Sequence, residues 1–139
     1  IGGKSYLDGV DLTRRQFYRD LPNYKVFPQT AAPSPSHFVA LYERLFAEGA
    51  SSILSIHLSG TLSSTVEMAA KAAADLSGRQ IEVFDSGQLS LGAGFLAQMA
   101  AEGYRGGWST EQVLGELRDQ ASLSSRPWTP WNTCAAAVG

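Results

Sequence analysis

The stretch Ser55 to Ser64 reads Ser-Ile-His-Leu-Ser-Gly-Thr-Leu-Ser-Ser. It is a hydroxyl-rich loop set between an apolar run, Ile53 to Ile56, and a helical run that begins near Leu62. A short apolar run, a loop and a helix in that order make a βα unit. In open α/β sheets, ligands bind outside the carboxyl ends of the strands. Hydroxyls and free N–H groups at a helix start suit a small anion or a carboxylate. No nucleophile–base pair or metal-ligand cluster stands beside them in the sequence. The expectation is a protein that binds an anionic small molecule.

The rest of the chain repeats this alternation. Arg14 to Asp20 reads as a short helix, with Thr13 as its N-cap and Phe17 on the buried face. Val26-Phe27 reads as a short extended piece ending at Pro28, and Thr30 to Ser36 as a loop carrying Pro33 and Pro35. A helix over 36–48 carries the stripe Phe38, Leu41, Leu45 and Phe46, with Ser34 or Ser36 to cap it and Gly49 to stop it. A strand over 52–57 follows. A helix over 62–76 carries Val66, Ala69, Ala70 and Ala73 and ends at Gly78. Ile81 to Phe84 reads as a second strand, and Ser90 to Glu102 as a helix closed by Gly103. Ser109 caps a last helix with Val113, Leu114 and Leu117 on one side. Strands alternating with helices predict an α/β fold, a parallel sheet flanked by helices.

Composition narrows the functional classes. The 139 residues are 44% hydrophobic and 17% charged, enough for one packed domain. The net charge of -2 makes no electrostatic case for nucleic acid or a membrane surface. The single cysteine excludes an internal disulfide framework and a cysteine-based zinc site, and suits a reducing cytoplasm. No run approaches the ~20 apolar residues of a membrane span, and no signal peptide is visible. No cofactor or metal is expected. The first residue is Ile1, not Met, which reads as a fragment.

Three segments together resemble the DegV family of bacterial fatty-acid-binding proteins. Pro28-Gln29-Thr30-Ala31-Ala32-Pro33-Ser34-Pro35 is similar to the family's T-S-Q-P-S-P loop before a helix. Ser55 to Ser64 is similar to its strand and L-S-S-x-L-S-G-T segment. Val83-Phe84-Asp85-Ser86 is similar to its V-x-D-S strand end, with the Gly92-x-Gly94 helix after it. Tyr6-Leu7-Asp8-Gly9-Val10-Asp11-Leu12 also resembles its Y-x-D-G-x-D-I stretch. The resemblance runs in order over roughly residues 4 to 120. It implies a non-enzymatic, cytoplasmic carrier that holds a long-chain fatty acid by its carboxylate for a partner fatty-acid kinase. It also implies that Thr30 and Ser63 bind the head group, with Ser59 as a further candidate. Two neutral donors can hold a carboxylate without an ion pair. The sequence departs from the pattern at Ala31 and Ala32, which replace Ser and Gln, and at Ser64-Thr65.

From Ala121 onward the character changes: no periodicity, two Trp, two Pro and an Ala-rich end. The family continues with a strand and an L-E-Y-L-R-R-x-G-R segment leading to a second domain. Pro127 to Gly139 can be back-translated so that the neighbouring frame reads A-L-D-T-L-E-Y-L-R-R-S-G-R. The expected organisation is therefore a partial DegV-like α/β lipid-binding domain over 1–120, incomplete at both ends. An unstructured, frameshifted tail over 121–139 would follow, and gene codons that exclude the second frame would dismiss it.

Plainer roles stand beside each candidate. Thr30 could simply turn its loop, and Ser63 could only cap the helix that starts at 62. His57 could serve as a general base, but the chain's other histidine is His37 and no acidic orienter is near in sequence, so a structural role is expected. Asp85-Ser86 could be an acid and a nucleophile; a carboxylate accepting backbone N–H groups at a strand end is the expected role of Asp85. Gly92 and Gly94 lack the third glycine of a dinucleotide fingerprint, so close helix packing is expected of them. Leu41, Leu45 and Phe46 could be core or could line an acyl pocket. Two alternative functions remain. One is a serine-dependent hydrolase or phosphotransferase using Ser63 or Ser59 with His57. The other is a non-functional fragment of a damaged gene.

Overall fold

A computed structural model of the chain describes residues 1–124. They divide into two compact units, Ile1–Ala31 and a second from Ala32 onward.

The first unit holds helix α1 (Arg14–Asp20) and a 3-10 turn, Leu21–Asn23. Thr13 closes a reciprocal capping box: its hydroxyl accepts the Gln16 N–H, and the Gln16 side chain accepts the Thr13 N–H. Before it, the Asp11 carboxylate accepts the Leu7 N–H at 2.9 Å and ties the Tyr6–Leu12 stretch into a turn. No residue of this unit is fully buried; Phe17 is half-buried against Tyr18 and Tyr24. The short extended piece expected at Val26-Phe27 is not part of a strand. Nothing among the described residues pairs with it, and Phe27 is 85% exposed.

The second unit runs α2 (Pro35–Ala47), β1 (Ile53–His57), α3 (Thr65–Asp75), β2 (Ile81–Asp85), α4 (Leu91–Arg105) and α5 (Thr110–Ser124). β1 and β2 pair in parallel, Ile53 opposite Ile81 through His57 opposite Asp85. The expected α/β class with a parallel sheet is thus found. Because side chains alternate along a strand, each face buries its own set. Ile53, Ile81 and Val83 meet Phe38, Tyr42, Ala69 and Ala72 of α2 and α3. On the other face Leu54, Ile56 and Phe84 meet Leu96, Ala100, Val113 and Leu117 of α4 and α5. Small alanines let α3 lie close to the sheet, and the larger apolar residues of α5 fill the opposite layer.

Several expected boundaries shift. On α2 the buried positions are Phe38 and Tyr42, while Leu41 is exposed. Ser34 takes the cap position of α2, but its hydroxyl bonds Ser36 and His37 Nδ1, not a backbone N–H. On α3 the inward alanines are Ala69 and Ala72, and Ala70 is exposed. Gly103 does not close α4; it lies inside the helix, which caps at Gly106. Its missing side chain is the reason it is there: a Cβ would fall 2.7 Å from Trp108 Cε3 and 3.2 Å from Val113 Cγ2. Ser109 does cap α5, exchanging bonds with Gln112. α5 runs through Ser124, past the boundary expected at 120; the remainder of the expected tail, 125–139, lies outside the described residues.

Gly103→Ala should push Trp108 off α4 and lower stability by about 1–3 kcal/mol. The change would be read in the thermal midpoint and in tryptophan fluorescence; an unchanged midpoint would contradict this packing.

Candidate functional site

The carboxyl ends of β1 and β2 carry two loops, 58–64 and 86–90, and one side chain fastens them. Asp85 ends β2, and its carboxylate accepts the Gly60 N–H at 3.0 Å and the Gly87 N–H at 2.9 Å. This is the backbone-accepting role expected of it. Two backbone bonds reinforce the join: Ser59 N–H to the Gln88 carbonyl at 2.8 Å, and Ser86 N–H to the His57 carbonyl at 3.0 Å. Gly60 is required by close approach, since a Cβ there would sit 2.8 Å from Asp85 Oδ2 and 3.1 Å from Val66 Cγ1. Ser86 is fully buried and its hydroxyl accepts the Gln88 N–H, so it serves the loop and is no exposed nucleophile.

Within the first loop the hydroxyls form two matching pairs. Ser59 Oγ and Thr61 Oγ1 are 2.8 Å apart, and the Thr61 N–H donates to Ser59 Oγ. Ser63 Oγ and Thr65 Oγ1 are also 2.8 Å apart, and the Thr65 N–H donates to Ser63 Oγ. Each pair contains two hydroxyl hydrogens and uses one between its members, which leaves one O–H per pair to donate elsewhere. The pairing holds the backbone in turns, so α3 begins at Thr65 and not near Leu62. Ser63 is therefore not the cap of α3; Ser64 stands there, without a side-chain cap bond. Ser59 is 6% exposed, while Ser63 is half-buried and Thr61 exposed. Thr30 belongs to the first unit, in an exposed irregular stretch. Sequence reasoning singled out the serines and missed their partners, Thr61 and Thr65; the signal was the S-x-T spacing at 59–61 and 63–65.

His57 stands at the end of β1. Its Nε2 lies 2.8 Å from Ser55 Oγ, which also accepts the Tyr42 hydroxyl at 2.8 Å. Phe38 meets the imidazole edge-on at 5.4 Å. Burial lowers the His57 pKa below its ordinary 6.5, against the opposing pull of the Asp85 charge. An acidic residue is thus near His57 in space though not in sequence, but its oxygens are engaged with Gly60 and Gly87. Burial raises the Tyr42 pKa, partly offset by its bond to Ser55. Neither Ser59 nor Ser63 reaches His57: the serine on its imidazole is Ser55, mid-strand and partly buried. Among the described residues no group of three or more His, Cys, Asp or Glu could hold a metal ion, and no helix is long and apolar enough to cross a membrane.

Two outcomes follow from this geometry. Gly60→Ala should displace the Asp85 carboxylate and cost about 1–2 kcal/mol. Amide exchange of Gly60 and Gly87 would rise, and unchanged protection would contradict the clamp. Because the folded pKa of His57 is below 6.5, the unfolded chain takes up the proton first as pH falls. The stability His57 contributes is complete above 6.5 and is lost on acidification below it. His57→Gln should flatten the fall in urea midpoint between pH 7.5 and 5.5; an equal fall in both proteins would contradict that depression.

The comparisons with known proteins bear on the whole described region. The family model described as an uncharacterised protein of the DegV family matches residues 1–125. A DegV domain-containing protein of Deinococcus radiodurans is 39% identical over 115 residues, covering 83% of this chain and 40% of that one. The structure of a fatty-acid-binding DegV family protein from Thermus thermophilus superposes with a TM-score of 0.77 at 35% identity, covering 88% of this chain and 43% of that one. DegV, a fatty acid binding protein from Bacillus subtilis, gives 0.73 at 32% identity, over 82% and 40%. The chain spans about two fifths of the length of the curated relatives it matches. With a family match over nearly its whole length and the βα loop in the expected place, this chain belongs to the DegV family.

Proposed function

We propose that this chain is the head-group-binding part of a lipid carrier, which binds a long-chain fatty acid through its carboxylate and presents it to a partner fatty-acid kinase. The observation that carries the reading is the double hydroxyl pair at the carboxyl ends of the parallel strands, each pair keeping one O–H to donate. The relatives from Thermus thermophilus and Bacillus subtilis, described as fatty acid binding, support the choice of ligand. Thr30 and Ser63 are assigned as the head-group donors, Thr30 on its motif alone. Ser59 acts through Thr61, whose hydroxyl is the exposed member of that pair.

Donors without charge suit a carrier. They hold a carboxylate while leaving it nucleophilic enough for a kinase to phosphorylate, and affinity comes from the acyl chain at about 0.8 kcal/mol per buried CH₂. The work asked of the protein is binding and presentation, in a cytoplasmic setting, with no cofactor. The serine-dependent hydrolase or phosphotransferase is the less favoured reading, because the hydroxyls of Ser59 and Ser63 bond threonines and not an imidazole.

Thr30→Ala and Ser63→Ala should each weaken oleate binding about tenfold, as loss of one hydrogen bond to a charged group does. Isothermal titration at constant salt checks this. Unchanged affinity in both variants would remove the assignment.

A further inference from the structure

We infer that Tyr42, Ser55 and His57 form a hydrogen-bond relay that fixes the His57 tautomer and makes its Nδ1–H a further donor to the carboxylate at the end of the sheet. The inference rests on the head-group reading and adds a residue to that site.

The chemistry of three groups sets the direction. Ser55 and His57 are two apart on one strand, so both face the α2 layer. Tyr42 is 1% exposed, and its O–H donates to Ser55 Oγ. A buried phenol needs such a partner. Ser55 has a single hydroxyl hydrogen and no other acceptor for it among the described residues. Donating it to His57 Nε2, 2.8 Å away, satisfies every group in the chain. An imidazole that accepts at Nε2 and is neutral must carry its proton on Nδ1. The opposite tautomer would aim an N–H at Ser55 and leave the partly buried serine hydrogen without an acceptor, which is unfavourable. Phe38, edge-on to the ring at 5.4 Å, limits its rotation.

The Nδ1–H that results has no partner among the described residues, although His57 is only partly exposed. It stands where β1 passes into the hydroxyl loop, one residue before the loop begins. The facing charged group is Asp85, opposite His57 in the strand register, and its two oxygens are committed to the Gly60 and Gly87 N–H groups. A neutral N–H donor is the kind of group the rest of the loop offers. His57 thus touches the ligand, and Tyr42 and Ser55 are positioning residues.

Long-range proton–nitrogen correlation on the nitrogen-15-labelled 139-residue chain, at pH above the His57 titration, tests this. Nδ1 should give a protonated, pyrrole-type signal and Nε2 a pyridine-type signal. Adding oleate should move the Nδ1–H resonance. Ser55→Ala and Tyr42→Phe should mix the tautomers and weaken oleate binding severalfold, and Ser55→Thr should restore both. His57→Phe should weaken binding about tenfold. A proton on Nε2 overturns the relay. Oleate binding that leaves Nδ1 unmoved overturns the role of His57 and leaves the head-group reading standing. Failure of the folded chain to bind oleate overturns both.

Discussion

The Asp85 carboxylate is the interaction on which the site depends. It ends β2, yet both of its hydrogen bonds go to loop backbone, one to the loop after β1 and one to the loop after its own strand. Charge-assisted bonds of this kind are among the stronger ones a protein makes. They join two loops that would otherwise be independent connections. Gly60 is the other half of the join, because any side chain there would occupy the space of the carboxylate. With that point fixed, Ser59 is drawn beneath the surface, and the two hydroxyl pairs take up their turns before α3 begins.

The sheet behind this site is small, and its two faces are unlike. The α2–α3 side carries alanines against Ile53, Ile81 and Val83, and it also carries the polar Tyr42–Ser55–His57 chain. The α4–α5 side packs Phe84, Leu96, Ala100, Val113 and Leu117 in one apolar cluster. A polar chain inside one layer is tolerated because each of its members has a partner. It runs toward the carboxyl end of β1, where ligands of parallel sheets bind. The packing that builds the domain and the groups proposed to hold a carboxylate are in this way the same residues on one face.

Much of this was legible in the sequence. Helix periods, the Thr13 and Ser109 caps and the alternating apolar runs placed nearly every element, because those signals are local. What failed depended on partners. Gly103 resembles a helix stop until Trp108 is packed over it. Leu41 is as apolar as a core residue, yet the helix turns Tyr42 inward, where its hydroxyl finds Ser55. At the site, Ser59 and Ser63 stood out by motif, whereas the S-x-T spacing that pairs them with Thr61 and Thr65 acquired meaning only with the loop conformation. The His57–Ser55 pair could have been read from the two-residue period of the strand. The proximity of Asp85 could not, since it depends on the register between strands.

Native mass spectrometry of the purified 139-residue chain, with extraction of any bound lipid, tests the central claim most directly. The account predicts a folded protein that carries a long-chain fatty acid, or takes up added oleate one to one. A folded chain that arrives empty and stays empty in the presence of oleate would contradict it.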